Sequence, residues 1–263
     1  MKHSGERFTN AVLFTLAGAG LLFFVIPVVS LLLRMPWGRV SEVVSDGELW
    51  GAFRLSLVVS LSAVALSLVY GFPIAWIMTR HTNRLTPLVR VIVLIPMVLP
   101  PIVGGVALLT AFGAGSPIGR VLDLAGIRLP FTMPGAIMAA TFVSSPFMII
   151  TLESGLRGLD ERLESAAQVL GASRWTIIRR IILPGLCPAL VGGAALTWAR
   201  ALGEFGATIA FAGNRPGHTQ TLPLAIYQAL QSDTDRALLV SAELILIAMC
   251  LMIFVRSRGI GHQ

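Results

Sequence analysis

Lysine is all but missing from this chain: Lys2 stands alone among 263 residues. A phosphate-binding loop of the form G-x-x-x-x-G-K-[ST] needs a lysine behind its glycine-rich turn, so none can form past the first residues. Any ATP chemistry linked to the chain must come from another subunit, and no catalytic residue or cofactor is expected within it. Cysteine is scarce as well. Cys187 and Cys250 both lie in apolar stretches and give no disulfide framework. The four histidines, His3, His81, His218 and His262, are scattered through polar segments without ligand spacing, so no metal site is expected. Charge is thin, at 13% of residues against about 25% in ordinary globular proteins.

Apolar residues fill the gap, at 55% of the chain. Runs of about 20 of them suffice to cross roughly 30 Å of hydrocarbon. Six spans are expected, near Ala11–Leu33, Leu55–Met78, Val91–Phe112, Leu129–Leu152, Gly185–Ala212 and Ala237–Val255. The first is far longer than a 7–15-residue signal-peptide core and reads as a retained span. A net charge of +7 could suggest nucleic acid, but the arginines sit at the ends of apolar runs, as topology signals do. A nucleic-acid partner is not expected; a lipid bilayer is.

Orientation follows the lysine and arginine bias of the connections. With the N-terminus inside, twelve such residues fall on the cytoplasmic side, Lys2, Arg7, Arg256 and Arg258 among them, against seven outside. Both termini are expected in the cytoplasm. Ser56, Ser60, Ala63 and Ser67 form a small-residue stripe on one face of the second span. Such a stripe lets a neighbouring helix approach closely, within the subunit rather than across an interface. The third span contains "IPMVLPPIVGGVALL", where Pro96, Pro100 and Pro101 remove backbone donors and Gly104 and Gly105 loosen the next turn. Broken backbone at membrane depth needs protein or a watery cavity to satisfy it. Pro100, Pro101 and Gly104 are therefore candidates for a pathway wall, with a packing kink as the equal alternative.

Between the fourth and fifth spans runs "ESAAQVLGASRWTIIRRIILP", Glu164 to Pro184. Leu159, Leu163, Ala166, Ala167 and Leu170 recur at helical spacing and predict one apolar face. Asp160 can cap the start, Gly171 can end the helix in a left-handed conformation, and Ser173 can cap a second helix that stops near Leu183-Pro184. The result is a protruding elbow of two short helices. The pattern alone leaves three fates open: lying on the membrane surface, packing on its own subunit, or filling a groove on a cytoplasmic partner.

The run "SAAQVLGA", Ser165 to Ala172, resembles the coupling motif of ABC-importer permeases, commonly E-A-A-x-x-x-G-A followed by a hydrophobic helix and L-P. Ala166, Ala167, Gly171 and Ala172 match it. Ser165 stands where the family glutamate usually sits, and Glu164 comes one residue earlier, which leaves open which side chain makes the usual polar contact. "LPPIVGG" and the Arg200–Tyr227 stretch "RALGEFGATIAFAGNRPGHTQTLPLAIY" resemble the molybdate branch, close to sulfate and thiosulfate permeases. The resemblance implies an all-α polytopic membrane protein, one permease domain over residues 1–263 of the inner membrane. It has six transmembrane helices and a cytoplasmic coupling helix pair between helices four and five. It further implies a homodimer with the pathway between subunits, two cytoplasmic ABC ATPases that bind ATP and Mg and grip the elbows, and an extracytoplasmic oxyanion-binding protein. Glu164, Ser165, Ala166, Ala167, Gly171, Ala172 and Arg174 would form the ATPase-coupling surface. The substrate expected is molybdate or tungstate, with a sulfate or thiosulfate permease as the alternative and an ATP-independent channel or carrier behind both.

Two acids and an arginine fall inside expected spans. Arg200 and Glu204 are four apart on the fifth span, share a face and can neutralise each other. An unpaired arginine at the centre of a span costs about 2.5 kcal/mol or more. The pair either fixes helix packing or lends a passing dianion a positive potential. Glu243 in the sixth span offers Arg200 a second partner. The external stretch "GNRPGHTQTLPLAIYQALQ" opens with a turn and continues as a short helix, and by analogy with the family Arg215 and His218 would touch the binding protein there.

Overall fold

A computed structural model describes residues 2–81 and 84–259, and side chains throughout these except residues 2–8, 43, 44, 251, 252 and 254–259. The side chains of Lys2, Arg7, Arg256, Arg258 and His3, and His262 altogether, thus lie outside the described residues. All regular structure among the described residues is helical.

Helix α1 (Lys2–Leu33) is 32 residues long, with apolar side chains exposed along most of its length. After a single 3₁₀ turn at Trp37–Arg39 and the short α2 (Val40–Val44) comes α3 (Gly47–Arg80), 34 residues long. It starts well before the expected Leu55 because Asp46 caps it, accepting from the backbone N–H of Glu48 at 2.8 Å and of Leu49 at 3.3 Å.

The expected third span is two helices, α4 (Thr86–Val98) and α5 (Pro101–Phe112), bent by 116°. Leu99 is extended, as a residue before proline prefers, Pro100 follows in an extended conformation, and Pro101 opens α5, where a missing N–H costs nothing. Then follow α6 (Pro117–Leu124) and α7 (Met133–Arg157), the fourth expected span, capped by Thr132. The elbow comprises α8 (Glu161–Val169), α9 (Arg174–Ile177), a wider i→i+5 turn at Ile178–Ile182, and α10 (Leu183–Gly185).

The expected fifth span is also broken, into α11 (Cys187–Leu202) and α12 (Gly206–Ala212). Helix α13 (Leu222–Ser232) and α14 (Thr234–Gly259) complete the chain. Among the described residues three helices are long and apolar enough to cross a membrane: α1, α3 and α7. Counting α4–α5 as one span and the elbow's second half with α11 as another brings the number to five.

The centre of the fold is α3 lying along α7, with α11 against both. The small-residue stripe is what permits this. Ser56, Ser60, Ala63 and Ser67 are each 2% exposed or less. Two of their hydroxyls serve the same chain: Trp198 Nε1 donates to Ser60 Oγ at 2.8 Å, and the Leu222 N–H donates to Ser56 Oγ at 2.7 Å. The stripe is an internal packing face. A second close approach joins the two broken spans. A Cβ on Gly105 would lie 2.6 Å from the Ala210 Cβ and 2.7 Å from the Ala207 carbonyl oxygen, and one on Gly206 would lie 3.0 Å from Pro101. Helices α5 and α12 therefore touch backbone to backbone, the contact small residues make possible inside a membrane.

Candidate functional site

The elbow forms as its caps dictate. The Asp160 carboxylate accepts from the Arg162 N–H at 2.9 Å, and Ser173 Oγ accepts from the Thr176 N–H at 3.2 Å. Gly171 has φ +80°, with its N–H bonded to the Gln168 carbonyl at 2.9 Å, while the Ala172 N–H reaches the Ala167 carbonyl at 3.0 Å. This paired closure is the Schellman motif. Nothing lies within 4 Å of where a Gly171 Cβ would be, so the glycine is required by its backbone angle and not by space.

The expected single apolar face is divided. Leu159, Ala167 and Ala172 pack on a buried cluster that includes Met78, Met148, Leu152, Leu156, Ile177, Ile182 and Leu186. Leu163 and Ala166 point away from it and are exposed, while Val169, Leu170 and Trp175 stand out at 88%, 86% and 68% exposure. The second helix ends at Gly185, one residue past the expected Leu183-Pro184 stop. The Leu183 N–H bonds the Ile178 carbonyl across the wide turn, and a widened turn makes room for the following proline, whose ring would crowd a regular helix. The chain continues to Gly185 and bends by 66° into α11.

Glu164 does not project from the elbow. It and Glu161 both bind the Arg80 guanidinium at the end of α3. Glu164, Gln168 and Arg174 line one cavity of about 320 Å³ with Trp76, Arg80, His81 and Ile178. Ser165 is exposed, its hydroxyl bonded to the Glu161 carbonyl at 3.0 Å, and Arg162, Gln168 and Arg174 are exposed around it. A second network, Glu153 with Arg90 and Arg157, ties α7 to α4. Sequence reasoning missed both networks. The i,i+4 spacing of Glu153 and Arg157 was a usable signal, whereas Arg80 lies more than 80 residues from its partners.

At the break between α11 and α12, Arg200 Nη1 lies 2.7 Å from Glu204 Oε2, and Glu204 Oε1 accepts from the Ala207 N–H at 2.7 Å. Arg200 occupies the last turn of α11 and Glu204 caps α12, so each charge meets the helix end of opposite partial charge. Glu204 is 2% exposed, and the Arg200 side chain 28%. Glu243 lines a separate groove with Met35, Leu49 and Trp50, so among the described residues Arg200 pairs with Glu204, as expected, and not with Glu243. Pro101 lies against Gly206, two residues past Glu204, which brings the two sets of pathway candidates together. Pro100 and Pro101 are exposed, while Gly104 is buried under the Phe142 ring.

On the far side of the fold, the Arg215 carbonyl accepts from the N–H groups of His218, Thr219 and Gln220, and Thr219 Oγ1 accepts from the Arg215 N–H at 3.0 Å. This knot buries Thr219, Gln220 and Thr221 and leaves Arg215 and His218 exposed. Nearby, Arg39 binds Glu42, Asp233 and Asp235, and Arg236 binds Asp46. Asp233 is held below the ordinary carboxylate range, first by its Arg39 hydrogen bond and then by the Arg236 N–H.

A helical elbow rooted in the ends of two spanning helices, beside two broken spans packed on each other, is the geometry to set against known proteins. The binding-protein-dependent transport system inner membrane component family matches residues 71–258. The chain belongs to that family. Among its relatives, the molybdenum transport system permease protein ModB of Mycobacterium tuberculosis is 40% identical over 240 residues, 91% of each chain. ModB of Escherichia coli K12 is 40% identical over 213 residues, 79% of this chain and 93% of that one. The sulfate transport system permease protein CysT of the same strain is 34% identical over 249 residues, 92% and 90% of the two chains. The fold also matches a bacterial ABC transporter involved in alginate import, with TM-score 0.74 and 19% identity over 98% of both chains. The methionine ABC transporter MetNI in inward-facing conformations gives 0.63 and 19%, over 82% of this chain and 97% of that one.

Proposed function

We propose that this chain is the permease of an ATP-driven molybdate importer, working as a homodimer by alternating access. The observation that carries the reading is the elbow: an exposed apolar knob of Val169, Leu170 and Trp175 on a root buried between α3 and α7. An amphipathic projection of this kind suits a groove on another protein, and Ser165, Ala166, Gly171 and Arg174 flank it. Two copies of a cytoplasmic ABC ATPase, holding ATP and Mg, would take the two elbows. The membrane-surface alternative is less well served, because the apolar residues are split between the core and the knob and do not form one continuous face. Relatives named for molybdenum transport, 40% identical over 91% of the chain, support the substrate.

In this reading α14 is the sixth span of one permease domain, both termini face the cytoplasm, and the loop carrying Arg215 and His218 faces an extracytoplasmic oxyanion-binding protein. Energetics favour a powered device. Bringing a dianion into a cell that is negative inside costs about 4.6 kcal/mol per 100 mV, twice the ~2.3 of a single charge. Each nucleotide state of the ATPase must then favour one arrangement of the broken spans for work to be transmitted. Arg200, neutralised by Glu204 yet partly exposed, offers the anion a weak attraction that does not trap it.

The test is reconstitution with the ATPase and binding protein in proteoliposomes, measuring ATP-dependent uptake of molybdate and of sulfate. Molybdate uptake that stops without ATP is the expected result. A preference for sulfate would move the chain to the second reading, which the CysT likeness supports, and uptake without the ATPase would make it a channel or carrier.

A further inference from the structure

Helix α8 touches the buried core through Ala167, and its polar attachment is ionic. It buries none of its own residues fully, and among the described residues its main backbone neighbour is the short α9. Beside that apolar contact, the Arg80 guanidinium at the end of α3 binds it at two points, with Nη1 on Glu161 Oε1 and Nη2 on Glu164 Oε1. The guanidinium also sits 5.8 Å from the centre of the Trp76 ring, and the Arg80 and Glu164 side chains are only 13% and 15% exposed. A planar fork with separate nitrogens suits two carboxylates at once; a lysine ammonium does not reproduce that geometry. Arg80 also closes the last turn of α3, where the helix dipole favours a cation.

We propose that Arg80 is the positioning residue of the elbow: it binds Glu161 and Glu164 so that α8 moves as one body with the inner end of α3. The acid displaced by one place from the usual family position is then an internal strut, and the surface offered to the ATPase is the apolar knob with Ser165, Gln168 and Arg174 around it. This inference rests on the importer reading, and it names how force on the knob reaches a spanning helix. The Arg90–Glu153–Arg157 network differs, because it joins α4 and α7, which already pack on each other.

The test uses the full complex of permease, ATPase and binding protein. Arg80→Gln, Arg80→Lys and Glu164→Gln are compared with Asp123→Asn, which breaks an exposed pair with Arg128 away from the elbow. Three quantities are read: ATPase co-purification, molybdate accumulated per ATP hydrolysed, and amide hydrogen exchange over residues 161–170. Arg80→Gln and Glu164→Gln are each expected to retain the ATPase yet lower molybdate per ATP about fivefold or more. Exchange in 161–170 should rise at least as much, Arg80→Lys should recover part of both losses, and Asp123→Asn should match the wild type. Ratios within twofold of wild type in both neutral variants, or unchanged exchange, would overturn the proposal. So would loss of the ATPase from Glu164→Gln alone, since Glu164 would then be a direct contact. If Arg80→Gln fails to assemble, the near-isosteric Glu164→Gln carries the same readouts. A wild-type complex that takes up neither molybdate nor sulfate would refute the importer assignment, and hydrogen exchange would still decide the role of Arg80.

Discussion

Two helix breaks, one at Gly171 and one at Gly203–Phe205, solve the same backbone problem in different surroundings. At the elbow the break is exposed, and closure comes from the chain itself: a left-handed glycine, two returning N–H groups and the Ser173 cap. Between α11 and α12 Gly203 is exposed and Phe205 half-buried, but Glu204 is buried, and closure uses its charged side chain, which is paired with Arg200. Solvent can satisfy missing partners at the first site, while at the second the buried Glu204 must find its partners within the protein. The elbow can therefore be an articulated surface part, whereas the inner break is bound to one arrangement of charges.

That contrast is open to direct test. The largest effect is expected from Glu204→Ala, which strands Arg200 and removes the acceptor of the Ala207 N–H. Losing one member of a buried pair costs about 3–5 kcal/mol, read as a lowered Tm in detergent micelles. Replacing both residues by apolar ones of similar size should restore much of the loss; failure to do so would argue that the charges serve more than packing. Gly105→Val comes next. Its Cβ would press on Ala207 and Ala210, and overpacking of this kind costs about 1–3 kcal/mol. Uptake should fall as well, if α5 and α12 must move together.

Gly171→Val meets no atoms, so only its backbone angle opposes it, at roughly 1–2 kcal/mol. Folding should survive while ATPase attachment and anion accumulation decline. If both are unaffected, the elbow does not transmit force. The smallest effect belongs to the outer rim. The stability Asp233 gains from its lowered pKa is complete above its ordinary value of 3.8 and disappears as pH falls through the lowered value. Asp233→Asn should flatten that acid-dependent part of the unfolding curve, matching the wild type at the acid end and losing a small amount of stability at neutral pH.

The elbow was legible because its signals are local. Asp160, Gly171 and Ser173 each act within three residues, and each holds the bonds its position predicts. The proline break after Val98 was legible for the same reason, although the 116° bend was not. The division of the fifth span escaped notice because Gly203 and Gly206 look like the other glycines of that span, and glycine alone does not end a membrane helix. Pairings across the fold were the least readable. Glu243 shares apolar surroundings with many residues, and nothing in spacing tells that Glu204 alone would take Arg200. Arg80 looked like a topology signal at the end of a span, and its second role depends on where a distant loop folds back.

The 66° corner at Leu186 has a mechanical meaning. Leu186 is fully enclosed and so fixed in place, with 12 residues from Arg174 to Gly185 on one side and the 16 of Cys187–Leu202 on the other. At 1.5 Å per residue the arms measure roughly 18 and 24 Å. In the proposed importer such a bell crank would turn a sideways nudge at its short arm into a swing of the long one, enlarged by about a third, and the swinging tip bears the guanidinium of Arg200.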